Sequence, residues 1–162
     1  MKLVLIAAVS KNGVIGNQGA LPWKLPKEMQ HFRDTTRGHT VVMGRKTFET
    51  LNKPLPNRRN VILSKSLKNA PEGVCVYSSW EDARKTIQSD ETVYICGGAE
   101  IYKHFLPLAD EVLLTIINAE FNGDTRFPNF ENGGFNYTGY HELSRVPLDD
   151  QIQCSIVTYR KN

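Results

Sequence analysis

The chain has 162 residues, 40% of them hydrophobic and 23% charged, proportions that exclude a fibre, a solenoid or a disordered tail. That length fits one domain, residues 1–162, and is too short for two joined by a linker. A net charge of +3 is too mild for a dedicated nucleic-acid binder. Its positives gather at Arg45-Lys46, Lys53, Arg58-Arg59, Lys65 and Lys68, at turns and element ends, which suits a small anion better.

The apolar run Leu3 to Val9 is ended by Ser10, Lys11 and Asn12, well short of the roughly 20 residues that span a bilayer. No cleavable signal precedes it, so it reads as a buried strand of a cytoplasmic protein with no membrane partner. Ser10 to Leu25 carries Gly13, Gly16, Gly19 and Pro22 without a period, the mark of a long connecting loop and of many functional lids. A helix is predicted over Pro26 to Thr36, with Pro26 in its first turn. Strands follow at Thr40 to Met43, Asn60 to Leu63, Val74 to Tyr77, Thr92 to Cys96 and Glu111 to Ile117. Between them fall helices at Arg45 to Leu51, Trp80 to Gln88 and Ala99 to Leu106, with Ser79 and Asp82 as a capping pair for the second of these.

That alternation implies an α/β fold with a mainly parallel, buried sheet. Beyond Gly123, Phe135 to Ser144 and Gln151 to Tyr159 are strand-like, with a turn near Pro147-Leu148-Asp149-Asp150, and predict a closing antiparallel hairpin. Cys75, Cys96 and Cys154 are odd in number and widely spaced, which argues against structural disulfides and a bound metal.

On a helical wheel at about 100° per residue, Leu25, Met29, Phe32 and Thr36 share one arc, while Lys27, Gln30, His31 and Asp34 point away. Glu28 falls at the edge of the apolar arc, about 60° from Leu25 and nearer to Phe32. A carboxylate there is partly desolvated, which costs free energy unless something pairs with it. Taken alone, it is equally a boundary glutamate that swings to solvent. Its surroundings favour a site. In Leu21-Pro22-Trp23-Lys24-Leu25-Pro26, two prolines stiffen the approach and a tryptophan stands close to the acid, an arrangement that suits a flat, nitrogen-rich ring.

Two strand-to-helix turns suit phosphate. One is Ile95-Cys96-Gly97-Gly98-Ala99-Glu100-Ile101-Tyr102, where paired glycines let the backbone approach an anion closely. The other is Val41-Val42-Met43-Gly44-Arg45-Lys46-Thr47, where positive side chains at a helix start oppose the dipole unless an anion lies between them. A P-loop is discounted, because Arg45 separates Gly44 from Lys46 and Gly38 lies too far back.

Taken together, these motifs resemble dihydrofolate reductase from Leu3 to the last strand. The resemblance rests on Gly13-Val14-Ile15-Gly16, Leu21 to Pro26, Met43-Gly44-Arg45-Lys46-Thr47-Phe48-Glu49, Pro54-Leu55-Pro56-Asn57-Arg58, Gly97 to Tyr102 and Gly123-Asp124-Thr125-Arg126-Phe127-Pro128, all in order and at family spacing. It implies an eight-stranded sheet flanked by four helices, and reduction of 7,8-dihydrofolate to tetrahydrofolate with NADPH, in the service of one-carbon metabolism. Glu28 would grip the pterin's amino group and ring nitrogen, Thr115 would support it, and Trp23 would hold an ordered water admitted beside Leu21. That water would protonate N5 while hydride reaches C6.

The resemblance also implies apolar walls from Ile6, Ala8, Met29, Phe32 and Leu55, with Tyr102 in the same pocket. Backbone carbonyls of Ile6 and Cys96 would receive diaminopyrimidine antifolates, the expected inhibitors, and Arg58 would pair with the substrate's α-carboxylate. On the cofactor side, Arg45 matches the 2′-phosphate contact, with Lys65 after Leu63-Ser64 to share it. Gly44, Lys46, Thr47 and Gly97 through Ile101, including Ala99 and Glu100, would hold the pyrophosphate region, and Ala8, Ile15 and Gly16 would face the nicotinamide. Asp124 matches a residue that helps hold the lid closed. A monomer is the expected working unit, with dihydrofolate and NADPH as its partners and no nucleic acid.

Four positions depart from the commonest pattern of members this long: glutamate at 28 where aspartate is usual, Leu21 for methionine, Lys24 for asparagine and Ala99 for a third glycine. A related reductase acting on a pyrimidine intermediate of riboflavin synthesis is the runner-up, and Arg58 argues against it. A nucleotide-binding phosphotransferase would use the same glycine and arginine turns.

Overall fold

The computed structural model describes residues 1–162. Strand β1 (Lys2–Ser10) lies near the middle of the main sheet, with a parallel neighbour on each edge, β6 (Thr92–Ile95) and β7 (Glu111–Ile117), and Leu3 to Ile6 and Val9 are buried under the layers that cover its faces. Outward from β6 come β3 (Thr40–Gly44), β4 (Arg59–Leu63) and β5 (Val74–Tyr77), all parallel. On the other side, β12 (Cys154–Lys161) runs antiparallel to β7, and β11 (Tyr140–Leu148) pairs antiparallel with β12 as the edge. The eight strands stand in the order β11-β12-β7-β1-β6-β3-β4-β5. The mainly parallel sheet with a C-terminal antiparallel hairpin is therefore present as expected.

Four helices join the strands: α1 (Pro26–Thr36), α2 (Arg45–Leu51), α3 (Trp80–Arg84) and α4 (Ala99–Phe105). None is long and apolar enough to cross a membrane. The largest core cluster joins Leu5, Val9, Ile95, Phe105, Leu114 and Val157, while Val41, Met43, Phe48 and Ile62 form a second under α2.

Three boundaries differ from expectation for identifiable reasons. The third helix stops at Arg84 rather than Gln88, because Thr86 N–H bonds back to the Ala83 carbonyl and Ile87 N–H to that of Arg84, tightening the chain into three-residue turns. The expected turn over Pro147-Leu148-Asp149-Asp150 begins only at Asp149, since β11 continues through Pro147 and Leu148 opposite Ser155 and Cys154, and the strand expected from Gln151 accordingly starts at Cys154. An edge strand tolerates proline because its missing N–H is harmless on the open side. The expected strand from Phe135 to Ser144 is split. Its start forms β10 (Gly134–Phe135), paired with β9 (Phe130–Glu131), and β11 begins only at Tyr140.

The segment between Ser10 and Leu25 is more than a plain loop. Within it β2 (Val14–Gly16) pairs with β8 (Thr125–Arg126), and Asn17 bridges Ala20. The side chain of Asn12 donates to the Phe121 carbonyl at 2.9 Å and accepts from the Phe121 N–H at 3.2 Å, so the base of the segment is tied down. Gly123 fits only because it has no side chain: a Cβ there would stand 2.3 Å from Val14 Cγ1 and 2.5 Å from the Gly16 carbonyl oxygen.

Candidate functional site

In an open parallel sheet, ligands bind beyond the carboxyl ends of the strands. There β3 runs directly into α2 and β6 runs through the paired glycines into α4, while α1 follows the segment after β1 and β2. Helix α1 is unusual in what it hides. Its buried residues are Glu28 and Thr36, whereas Met29 is 44% exposed and Phe32 only half-buried. The apolar arc read from the sequence thus opens toward solvent at Met29. Glu28, placed at the arc's edge, lies inside, at 7% exposure. His31 also departs from expectation: it is half-buried, with Nε2 enclosed and unpartnered.

Burial first, and the nearby Asp150 charge second, raise the Glu28 carboxyl from 4.5 to about 7. Tyr102 from α4 and Cys154 from β12 share this field. Burial, then Cys96 and Glu28, push the Tyr102 phenol well up. Burial, then Asp150 and Glu28, push the Cys154 thiol to about 11. Both stay neutral. The Tyr102 hydroxyl donates to the Ile6 carbonyl at 2.7 Å, tying α4 to β1. Trp23 is buried against Phe121, with ring centroids 5.2 Å apart, and its indole Nε1–H has no partner. An enclosed donor left unpaired is costly, which marks a place where a polar atom is wanted. Thr115 is buried on β7, opposite Ala8 of β1 on one side and Ile156 of β12 on the other. Leu21 is 52% exposed at the rim.

Farther along the cleft, Arg58 is held ready. Its Nε donates to the Pro56 carbonyl at 2.8 Å and its Nη1 to Thr36 Oγ1 at 3.0 Å, and its guanidinium lies 6.0 Å from the Phe32 ring centre. Thr36 in turn donates to the Phe32 carbonyl. Burial lowers Arg58's proton affinity; Cys96 opposes this, and the positive Arg37 and Arg33 add smaller lowering effects. It remains a cation, so an arriving anion relieves both burdens. Asn60, buried at the start of β4, organises this loop. Its Oδ1 accepts from Leu55 N–H at 2.9 Å and its Nδ2 donates to the carbonyls of Leu55 and Arg58. Nothing in the sequence singled out Asn60, since an asparagine opening an apolar strand reads as the end of a turn.

On the opposite flank, the Gly44 N–H donates to the Gly97 carbonyl at 2.9 Å, which brings the two phosphate-suited turns together. Gly97 has φ +108°, and a Cβ there would come within 3.1 Å of the Tyr102 ring, while one at Gly98 would meet Thr47 Oγ1 at 3.4 Å. The glycines therefore leave a concave, backbone-lined surface beside the Thr47 hydroxyl. Ile101 packs on Gly44, Ala99 is half-buried, and Glu100 and Lys46 are exposed. Arg45 is engaged by Glu49 at 2.7 Å. After half-buried Leu63, the Ser64 hydroxyl accepts from Ser66 and Leu67 N–H groups, leaving Lys65 exposed at the turn. On the lid side, Ile15 and Gly16 are half-buried, and Gln18 N–H donates to Asp124 Oδ2 at 3.0 Å. That bond and the Thr125 hydroxyl hold the Asp124 carboxyl below its usual value.

The fold and the cleft define a class: an α/β enzyme with a buried acid at one end of a strand-end crevice and a glycine-lined cradle at the other. Comparison with known proteins fixes the family. A family model described as dihydrofolate reductase matches residues 2–161. The chain is 41% identical to dihydrofolate reductase type 3 of Salmonella typhimurium over 98% of its own length and 97% of the relative's. It is 40% identical to dihydrofolate reductase of Haemophilus influenzae over 88% and 89% of the two chains. Among solved structures, dihydrofolate reductase from Enterococcus faecalis, complexed with NADP(H) and RAB-propyl, superposes with a TM-score of 0.89 at 33% identity, covering 99% of this chain and 96% of that one. The chain belongs to the dihydrofolate reductase family.

Proposed function

We propose that this chain reduces 7,8-dihydrofolate to tetrahydrofolate with NADPH, and that Glu28 is the acid that orients the pterin. The observation carrying this reading is Glu28 itself: a carboxyl buried at the cleft, accepting no hydrogen bond from the protein, with its proton affinity raised to about 7. A buried carboxyl is retained at such a cost where a ligand completes it. The pterin's amino group and ring nitrogen do so, with Thr115 beside them. Met29, Phe32, Leu55, Ile6 and Ala8 supply the apolar walls, and Arg58 meets the α-carboxylate of the glutamate tail.

The residues present fit the cofactor. The surface at Gly97 and Gly98, which a Cβ would fill, suits a pyrophosphate beside Thr47. Arg45 and Lys65 suit a 2′-phosphate. Bound there, NADPH supplies the hydride that goes to C6. The protein's part is to hold the ring, exclude bulk water and deliver a proton to N5. Glu28 grips the far edge of the ring from N5, so the proton comes through a water held at the orphan Trp23 Nε1–H near Leu21. Diaminopyrimidines present an amino group and a ring nitrogen to Glu28 in the same way and are the inhibitor class that the site suits.

The test is NADPH oxidation, followed by absorbance, with dihydrofolate as the sole acceptor. Single-turnover hydride transfer should be rapid below pH 7 and fall as pH rises through Glu28's ionisation. Glu28→Gln should slow it at least about a hundredfold, the usual worth of a positioned acid–base group, and flatten the profile. An unchanged rate and profile in Glu28→Gln would overturn the assignment.

A further inference from the structure

The sequence of α1 lacks something its position demands. Leu25 occupies the N-cap and offers no side-chain acceptor, and Pro26 fills the first turn. A helix so begun leaves its first N–H groups unsatisfied. They are satisfied from more than 120 residues away: the N–H groups of Lys27 and Glu28 both donate to Oδ2 of Asp150, at 2.9 and 3.0 Å. Asp150 lies in the turn between β11 and β12, where its Oδ1 accepts the Gln151 N–H at 2.8 Å. Both carboxylate oxygens are therefore committed to backbone donors, which fixes the group's orientation. β12, which follows this turn, pairs with β7 and sets Ile156 beside Thr115.

We infer that Asp150 is a positioning residue of the active site: from the hairpin turn it supplies the cap that α1 lacks and so fixes where Glu28 stands against the substrate. The inference rests on the reading of Glu28 given above. Asp150 also acts through charge. The N-terminus of a helix favours a carboxylate in its first turn and would make Glu28 a stronger acid. Burial is the larger cause of Glu28's raised proton affinity, and a full negative charge on the same N–H groups opposes the dipole and adds to the rise.

The other titratable groups around Glu28 do not replace this charge. Tyr102 and Cys154 remain neutral. His31, on the same helix, has its proton affinity lowered by burial against an opposing effect of Asp34. Lys27 is drawn to Asp150 itself. Asp150's own carboxyl is raised by its surroundings, but the Gln151, Glu28 and Lys27 N–H groups and the Lys27 charge outweigh this and leave it below the usual carboxylate value, ionised throughout.

Two variants separate cap from charge. Asp150→Asn keeps an acceptor and loses the charge, and Asp150→Ala loses both. With the full-length protein, Asp150→Asn should move the pH midpoint of single-turnover hydride transfer downward while leaving the KM for dihydrofolate within about twofold. Asp150→Ala should make the same shift and raise that KM about fivefold, the worth of a lost cap. Asp150→Ser, a neutral cap, should restore KM but not the midpoint, and serves also if the alanine variant does not fold. A carbon-13 carboxyl titration of Glu28 in the ligand-free protein reads the charge effect without activity, so failure of the catalytic reading is told apart from failure here. The inference is overturned if Glu28 titrates at the same pH in wild type and Asp150→Asn, or if KM is unmoved by Asp150→Ala.

Discussion

Glu28 makes the ligand-free protein's stability depend on pH in a direction that can be worked out. Its carboxyl titrates at about 7 in the folded chain against an ordinary value of 4.5. Between these two pH values the folded state holds a proton that the unfolded state has released, so stability falls as pH rises. The contribution is fully present below pH 4.5 and lost by the time pH has passed about 7. The shift corresponds to about 3 kcal/mol, and at 7% exposure little of it is screened. Glu28→Gln removes the ionisation. The variant should therefore match wild type near pH 4.5 and exceed it by up to about 3 kcal/mol at pH 8.5, a large share of a typical folding free energy. Urea unfolding across that pH range, followed by the fluorescence of Trp23 and Trp80, measures both proteins. Parallel curves for wild type and Glu28→Gln would refute the reasoning, because they would mean that the carboxyl is as well solvated folded as unfolded.

Asn60→Ala removes all three bonds that hold the Leu55–Arg58 loop. It should cost about 2–3 kcal/mol in unfolding experiments and raise the KM for dihydrofolate about tenfold, while kcat falls much less; equal changes in both would argue against a binding role for that loop. Arg45→Gln should weaken NADPH about tenfold and NADH hardly at all in binding titrations. Glu49→Gln, which frees Arg45 from its exposed pair, should tighten NADPH about twofold, the modest worth of such pairs. Identical responses to the two cofactors would place the 2′-phosphate elsewhere.

Much of this was legible in the chain because it is local. Pro26 marks the start of α1, apolar runs broken by glycine mark β3 and β6, and the period of α1 places Glu28 beside its apolar arc. What could not be read depends on partners distant in sequence. Asp150 looks like an ordinary turn acid, and only the absence of a capping side chain at Leu25 hinted that α1 needed one. Asn60 and Thr36 look like boundary residues until the loop before β4 closes on them. The pairing of β2 with β8 joins two stretches more than 100 residues apart, each too short to carry a strand pattern.

These distant contacts follow from what the cleft requires of α1. A helix normally docks by burying its apolar face, but here Met29 is largely exposed and Phe32 half so, while a carboxyl is buried. The middle of the helix cannot both anchor it and meet a ligand. Anchorage has therefore moved to the ends. At the start, Leu25 is buried and Asp150 takes the first N–H groups. At the finish, Thr36 is buried and ties the Phe32 carbonyl to Arg58. A helix pinned at both ends is fixed in place, so Glu28 in its first turn and Arg58 bonded to its last residue, the two groups proposed to grip opposite ends of one substrate, are set by the same two clamps. Loosening either clamp should disturb both grips, and that coupling is why capping residues far from the chemistry belong to the working parts of this site.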